Sequence, residues 1–336
     1  MELDYSFIWA GIIALAVLVY AMLDGFDLGV GMLFGFFRQE KERDRLMNSV
    51  APVWDGNETW LILGGGGLFA AFPVAYGLVM SSLYAPIIAM LLALAFRGVA
   101  FEFVHQATSM RKFWELGFFG GSFLAAFCQG MVLGAIVQGI VVEGRGYAGG
   151  WWDWITPFTL LTGAAVAVGY LALGATWIFL KTDGLMQMHA RKIAFWSILG
   201  LLASVALVAG IMPFHHSYFM TRWFDGNNIF LFMMLPVIVF AVALLALRGL
   251  KKDQELTPFL SVQAIFVLCY VALGLSFYPY IVPPSLTIAE AASPDKSLVF
   301  MLVGAVFLVP IILAYTAYSY WVFRGKVPEH GEGYGH

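Results

Sequence analysis

Two carboxyl side chains that could hold protons lie inside an apolar stretch near the N-terminus. In AMLDGFDLGVGML, residues 21–33, Asp24 and Asp27 are three residues apart, so in a helix they share one face. Each ionised aspartate at the centre of a membrane span costs about 3 kcal/mol. This face must therefore look into protein or water, and such a pair is typical of a proton relay or an ion-coupling site.

Three further acids lie at the ends of two other apolar stretches. Asp55 and Glu58 are in APVWDGNETWLILGGGG, and Glu102 is in ALAFRGVAFEF. Acids at a membrane surface combined with acids at depth form the arrangement that a proton path needs. The alternative is structural, with these three residues acting as helix caps or as partners of the nearby Arg97.

The elements that must position these acids are membrane-spanning helices. The 336-residue chain is 61% hydrophobic and 12% charged, with a mean hydropathy of +0.83, whereas soluble domains average about 25% charged residues. A spanning helix needs about 20 apolar residues. We predict nine such spans with short connections, at residues 7–36, 55–72, 76–102, 115–142, 154–180, 193–212, 228–248, 257–279 and 298–323.

The basic residues predict which side of the membrane each connection faces. Fourteen of the 18 Lys and Arg residues follow odd-numbered spans and three follow even-numbered spans, while Arg97 lies near the end of the third span. The N-terminus is therefore predicted outside and the C-terminus in the cytoplasm. With Arg38 at the cytoplasmic interface, Asp27 and Asp24 lie roughly 16 and 21 Å deeper. The other three acids fall near the cytoplasmic surface.

The organisation predicted is one transmembrane domain, residues 1–324, followed by a short cytoplasmic tail, residues 325–336, whose composition indicates disorder. Glycines recur at helical spacing in the first span and run consecutively at 64–67. Small residues at such positions let helices approach closely in lipid. Close packing, within the chain or against another subunit, is favoured over a helix broken at a transport site.

The histidines do not form the facing pair at membrane depth that a heme would need. Cytoplasmic span ends, one external loop and the tail hold His105, His189, His215, His216, His330 and His336. The sequence also contains no nucleotide-binding motif and no Cys/His set at metal-binding spacing. We therefore predict that this chain ligates no cofactor and works with a partner that does.

A resemblance to a known family is visible in four stretches. These are LDGFDLGVGML, RLMNSVAPVWDGNETWLILGGGGLFAAFP, LAFRGVAFEF and YPYIVPPSLTI. They resemble subunit II of the cytochrome bd-type quinol oxidases, and the short chain is most similar to the cyanide-insensitive branch. The resemblance implies an all-α fold of nine transmembrane helices, arranged as two four-helix bundles plus one peripheral helix, in the bacterial cytoplasmic (inner) membrane.

The resemblance also implies a function within a complex. The family oxidises a quinol, reduces dioxygen to water and generates a proton-motive force. Subunit I carries two b-type hemes and one heme d, or a b-type replacement in some members, and subunit II ligates none. The implied partners are subunit I, quinol and the lipid bilayer, with no nucleic acid; a bound quinone and a small single-helix accessory subunit occur only in some members.

Subunit II of this family supplies a proton path from the cytoplasm. Its positions match Asp55 and Trp60 in WDGNETW and the acid of FRGVAFE, here Glu102, where some relatives have Asp. The DGFD pair matches Asp24 and Asp27. The chain is thus predicted to hold no catalytic residue, and the proton-path candidates are Asp24, Asp27, Asp55, Glu58, Trp60 and Glu102.

Two other functions fit parts of the sequence. A stand-alone proton-coupled secondary transporter would use the Asp24–Asp27 pair for coupling and residues 64–67 as a broken helix. Internal repeats would favour it, and the sequence shows none. A purely structural scaffold would require the deep acids to be inert.

Overall fold

The computed structural model describes residues 4–106, 110–226 and 228–328, except for the side chain of His105. The longer helices are α1 Tyr5–Leu33, α3 Trp54–Ala71, α5 Tyr84–Gln106, α6 Arg111–Gln138, α7 Pro157–Lys181, α8 Gly184–Ile211, α10 Asn228–Lys251, α11 Leu256–Phe277 and α13 Asp295–Val322. Shorter helices are α2 Glu40–Val50, α4 Pro73–Ser82, α9 Ser217–Phe224 and α12 Ile288–Ala291, with a 3₁₀ turn at Met212–Phe214. Two antiparallel hairpins pair β1 Val142–Glu143 with β2 Gly146–Tyr147, and β3 Tyr280–Val282 with β4 Leu286–Thr287.

The prediction of an all-α polytopic membrane protein is confirmed. Eight helices in the described ranges are long and apolar enough to span a membrane, and the bent pair α3–α4 could form a ninth span. Their membrane sidedness stays a prediction.

The second predicted span, 55–72, agrees with α3, whereas the third differs from the structure in its first part. The sequence predicted a third span over 76–102, but residues 73–82 form α4, which is bent by 119° from α3, and α5 begins at Tyr84. Phe72 has φ −136° and ψ 62°, outside the helical region. A residue before proline is disfavoured in the helical conformation, while Pro73 suits the first helical position. The chain therefore turns at Phe72.

The long helices pack in two groups of four. In the first group, α1 packs against α3 and α6, and α6 packs against α5. In the second group, α7 contacts α8 and α11, and α10 contacts both of these neighbours. Contacts of α7 with α1 and α6 join the groups, while α13 lies outside them against α1 and α3.

Glycines set the closest approach between the two groups. A Cβ added at Gly29 of α1 would meet the backbone carbonyl of Tyr170 and the backbone of Gly174 in α7. Helix α3 continues through its four glycines, and Gly64 and Gly67 lie against side chains of α1. The prediction of close packing is confirmed here, and α3 is not broken at the glycines.

The tail predicted over residues 325–336 begins as a docked segment. The Val327 N–H donates to the Lys181 carbonyl at 2.8 Å, so this part of the chain lies against the end of α7. Residues 329–336 of the predicted tail lie outside the described residues.

Replacing Gly29 with Ala tests this close approach. We expect Gly29→Ala to destabilise the protein by about 1–3 kcal/mol, the usual cost of overpacking, because the methyl group would overlap backbone that cannot rotate away. The measurement is thermal unfolding of the purified complex. Gly11→Ala is the matched control, since Gly11 lies on the same helix with nothing within 4 Å of an added Cβ. Equal unfolding temperatures for the two variants would contradict the prediction.

Candidate functional site

Asp24 and Asp27 lie on the inward face of α1, where both side chains are 0% exposed. The buried run from Asp24 to Leu33 contains both acids, whereas the preceding part of α1 is only partly covered. The helix therefore buries the half that carries the carboxylates. This agrees with the prediction that their shared face looks into the protein.

Arg97 of α5 is the cationic partner of this site. It is 1% exposed, and its Nη1 lies 3.3 Å from Asp24 Oδ1 and 2.6 Å from Glu58 Oε1. The guanidinium also lies over the rings of Trp54 and Phe118, at 5.9 and 5.8 Å from their centroids. A single buried cation thus joins α1, α3 and α5, and its charge offsets part of the cost of burying Asp24.

The sequence prediction captured only half of this arrangement. Pairing of Glu58 with Arg97 was one of the alternatives, and the structure shows that pair. Arg97 was not predicted as the partner of Asp24. The signal was present, because an arginine within an apolar span needs an anion at similar depth.

Asp27 has an uncharged partner. Asn57 of α3, 1% exposed, donates from Nδ2 to Asp27 Oδ2 at 2.6 Å. The hydroxyl of Tyr320, on α13, donates to Asn57 Oδ1 at 3.0 Å. The sequence prediction missed both residues, although Asn57 lies within the WDGNETW stretch that it singled out.

Two further hydrogen bonds join Tyr20, which lies beside Asp24 on α1, to α6 and α7. Tyr20, one turn earlier on α1, interacts electrostatically with this carboxylate. Gln129 of α6 donates from Nε2 to the Tyr20 hydroxyl at 2.8 Å, and the Tyr170 hydroxyl of α7 donates to Gln129 Oε1 at 2.8 Å. Polar groups of α6 and α7 therefore contact the same region of α1.

The remaining proton-path candidates, Asp55, Trp60 and Glu102, differ in burial and in their contacts with the acid cluster. Asp55 is exposed and interacts electrostatically with Glu58. Trp60 is 1% exposed and packs beside Tyr20, so it belongs to the buried side chains around the acid cluster. Glu102 is exposed on α5, and in the described part of the chain no hydrogen bond or ion pair joins it to Arg97 or Asp24.

The histidines that the structure describes lie apart from this network. Among the residues that the structure describes, no group of three or more His, Cys, Asp or Glu side chains is placed to hold a metal ion. His216 follows the 3₁₀ turn after α8, where its Nε2 is 2.5 Å from the Gln138 carbonyl at the end of α6. The side chain of His105, together with His330 and His336, lies outside the described residues.

The fold and the network define a polytopic helical membrane protein with a buried acid cluster held by one arginine. A family model described as cytochrome bd terminal oxidase subunit II matches residues 5–323. The chain belongs to this family of cytochrome bd oxidase subunits, and the resemblance seen in the sequence is confirmed.

Individual relatives match nearly the whole chain. Cytochrome bd-I ubiquinol oxidase subunit 2 of Escherichia coli (strain K12) is 31% identical over 366 aligned residues, covering 97% of this chain and 96% of the relative. Cytochrome bd ubiquinol oxidase subunit 2 of Bacillus subtilis (strain 168) is 32% identical over 333 residues, covering 95% and 96%. The bd oxidase structure from Geobacillus thermodenitrificans shares the fold, with a TM-score of 0.81, 17% identity and coverage of 96% and 99%. Membership of the cyanide-insensitive branch stays a prediction.

Membership of the family makes the chain a subunit of a quinol:oxygen oxidoreductase complex of respiration. Such complexes contain heme, use quinol and include a subunit I beside subunit II. The family assignment therefore favours the oxidase subunit over the stand-alone transporter.

Removing the arginine tests whether it holds the site together. We expect Arg97→Met to lower the stability of the assembled protein by about 3–5 kcal/mol, because a buried ion pair that loses one partner leaves uncompensated charge. The measurement is accumulation of the tagged chain in membranes and thermal unfolding of the purified complex. Adding Asp24→Asn and Glu58→Gln to Arg97→Met should restore part of the loss, since no ionised partner then remains opposite the substitution.

Arg248→Met is the control for this experiment, because Arg248 is exposed near the end of α10. If Arg97→Met accumulated and unfolded like Arg248→Met, the buried pair would not stabilise the protein.

Proposed function

We propose that this chain is the non-heme subunit II of a bd-type quinol oxidase in the bacterial cytoplasmic (inner) membrane. In this role it stabilises the heme-bearing subunit I and supplies a proton-uptake path from the cytoplasm, while the complex oxidises quinol and reduces dioxygen to water. The observation that carries the proton path is the cluster of Asp24, Asp27 and Glu58 around the single buried Arg97.

The charges of this cluster do not balance if every acid is ionised. One guanidinium can neutralise one of the three carboxylates, and an uncompensated buried charge is costly. Protons on the other carboxyl groups remove that cost, so the cluster has a physical reason to hold exchangeable protons. Because the three acids interact with one another, they exchange protons as a coupled set.

Internal water would connect the acids of this cluster. In the cluster and the adjacent Trp60, five buried polar atoms have no hydrogen-bond partner within the described protein, namely Asp24 Oδ2, Asp27 Oδ1, Arg97 Nε, Arg97 Nη2 and Trp60 Nε1. Buried polar atoms are usually bonded to protein or ordered water, and a water needs two to four such partners. We infer that water molecules bridge these atoms and carry protons between the two aspartates.

A gradient of exposure leads into the cluster. Asp55 is exposed, the Glu58 side chain is 26% exposed, and Asp24 is fully buried. Glu58 interacts electrostatically with both of these acids. The three residues thus supply successive proton-holding groups from the surface of the chain to its interior, and the predicted topology puts this entrance on the cytoplasmic side.

Glu102 joins the proposed path through the family resemblance. It is exposed on α5, five residues after Arg97. An exposed acid on the helix that supplies the buried arginine is suited to collecting protons near the entrance or to passing them towards subunit I.

A structural role for the acids is the second candidate function. The Arg97–Asp24 pair favours it, because a buried ion pair that links α1 and α5 would stabilise this arrangement even if no proton moved. The charge excess favours the proton path, since Asp27 and Glu58 exceed what one arginine requires. The two functions differ in their consequences for proton uptake.

We also propose that subunit I ligates all hemes of the complex. His189 on α8 and His216 lie near opposite ends of that helix and do not face each other. A heme between two such ligands at membrane depth has no support in the described part of this chain.

Removing the carboxyl group of Asp55, the proposed entrance, tests the proton-uptake path. We expect Asp55→Asn to reduce oxygen consumption by at least about tenfold, because a positioned proton-transfer group contributes about a hundredfold or more to its step. Heme content and assembly should be unchanged, since Asp55 is exposed. Glu102→Gln should act in the same direction, whereas Glu102→Asp should keep most of the activity because an acid remains. The measurement is quinol-driven oxygen uptake per heme, and unchanged turnover in Asp55→Asn would contradict this entrance.

Neutralising the deep pair tests the relay itself. We expect Asp24→Asn and Asp27→Asn to assemble with heme but to take up protons more slowly, because Asn keeps the polar contacts and cannot release a proton. Asp27→Leu should also disturb packing and lower heme content. The measurement is proton uptake during single-turnover oxidation of the reduced enzyme. Wild-type uptake rates in both Asn variants would leave the pair with a structural role only.

A further inference from the structure

Helix α13 is attached to the rest of the chain mainly near its ends. Leu298 is its one buried residue, and there the Trp9 indole N–H donates to the Leu298 carbonyl at 2.9 Å. Most of the following apolar side chains, such as Phe300 and Phe307, are exposed. The contacts at Leu298 fix only the first turns of α13. Side chains in its last turn therefore depend on a second attachment at that end to keep a fixed position.

That second attachment is the segment after α13, residues 323–327, which we call the C-terminal clamp. The ammonium group of Lys181 donates to the carbonyls of Phe323 and Gly325, the latter at 2.9 Å. The Val327 N–H donates back to the Lys181 carbonyl at 2.8 Å, and Arg45 donates to the Val327 carbonyl at 2.7 Å. The clamp therefore contacts both the end of α7 and the helix α2.

The clamp buries a charge, which a freely moving tail would not do. Lys181 is 5% exposed, and its ammonium lies 4.8 Å from the centroid of the Trp177 ring. The carbonyls at the end of α13 satisfy this cation and suit it electrostatically. Lys326 adds an ion pair with Glu255 at 2.6 Å. These contacts fix the last turn of α13 against the second group of helices.

Tyr320 is the side chain of this last turn that points inward. Its ring contacts Phe26 and Trp177 edge-to-face, with centroids 6.2 Å apart in both cases. Its hydroxyl donates to Asn57 Oδ1 at 3.0 Å. The adjacent aromatic residues Tyr318 and Trp321 are exposed, at 62% and 60%. The clamp thus holds one particular tyrosine against Asn57.

The hydrogen bond from Tyr320 holds the Asn57 amide in place beside Asp27. The hydroxyl donates to Oδ1, and the Nδ2 group points to the carboxyl group and donates to its Oδ2 at 2.6 Å. A flipped amide would present an acceptor to Asp27, and an acceptor can pair only with the protonated acid. The orientation of this amide therefore determines how Asp27 is hydrogen-bonded in each protonation state.

We propose that Tyr320 is a positioning residue for Asp27, acting through the Asn57 amide, and that the C-terminal clamp keeps it in place through Lys181. The inference rests on the proposed proton-path role of Asp27 and adds the residues that set its hydrogen bonding. It gives α13 and the segment after it a part in proton transfer, although neither carries an acid of the relay.

The test uses the assembled, heme-containing complex. Tyr320→Phe should lower oxygen turnover about fivefold, the factor that one hydrogen bond of typical strength represents, with unchanged heme content. A spectroscopic readout separates positioning from packing. The carboxyl band that Asp27→Asn removes from the redox-induced infrared difference spectrum should shift in Tyr320→Phe. Tyr318→Phe is the matched control, two residues away and exposed, and should leave both the turnover and the band unchanged.

The clamp is tested in the same complex. Lys181→Met should give a turnover between those of wild type and Tyr320→Phe, and it should cause no further loss when combined with Tyr320→Phe. Lys192→Met, which removes an exposed lysine of α8, is the control. If Lys181→Met lowered turnover equally in the presence and absence of the Tyr320 hydroxyl, the clamp would not act through Tyr320.

The variants distinguish a failure of this inference from a failure of the proposed function. If Asp27→Asn slows proton uptake while Tyr320→Phe matches Tyr318→Phe in turnover and band position, the positioning role is wrong and the proton path stands. If Asp27→Asn takes up protons at the wild-type rate, the relay and its positioning residue are both wrong. Should Lys181→Met fail to assemble, Tyr320→Phe alone still decides the positioning role.

Discussion

A charge that is buried within a membrane protein must meet an opposite charge at its own depth, and Arg97 imposes this constraint on the fold. Its guanidinium is almost fully buried and lies between Asp24 and Glu58. Breaking such a pair is strongly destabilising, although the pair itself adds little net stability. Its main effect is therefore to specify position, since α1, α3 and α5 must bring these three side chains together.

The packing around the ion pair permits this approach. The Gly29–Gly174 crossing brings the backbones of α1 and α7 into contact, and Gly121 of α6 lies against the backbone of α5 at Ala93 and Arg97. In lipid, where apolar side chains gain little by leaving their surroundings, close contact between small residues drives helix association. Glycine at these positions and the buried charges thus serve the same arrangement, one through van der Waals contact and the other through electrostatics.

The sequence predicted those structural features that follow from local patterns of residues. The apolar runs predicted the spanning helices, and the spacing of Asp24 and Asp27 predicted a shared buried face. The break at Leu83 between α4 and α5 was missed because the residues on both sides of it are apolar, so that hydropathy alone does not divide them. Asn57 and Tyr320 were missed for a different reason. Their contact joins residues separated by 263 positions, and no local spacing records it. Arg97 is an intermediate case. Its position within an apolar span indicated that an acid must lie near it, but did not show that Asp24 is that acid.

The proposed stabilising role and the proposed proton-carrying role involve the same residues, and the number of charges relates the two. A site that served stability alone would be complete with one acid opposite Arg97. Asp27 lies in the same cluster, is fully buried, and has the neutral Asn57 as its hydrogen-bond partner. An acid without a cation of its own gains stability from a proton, and it can lose that proton only while neighbouring charges rearrange. In the proposed path, Arg97 supplies the fixed charge that holds the helices, and Asp27 supplies the group whose protonation changes without separating them.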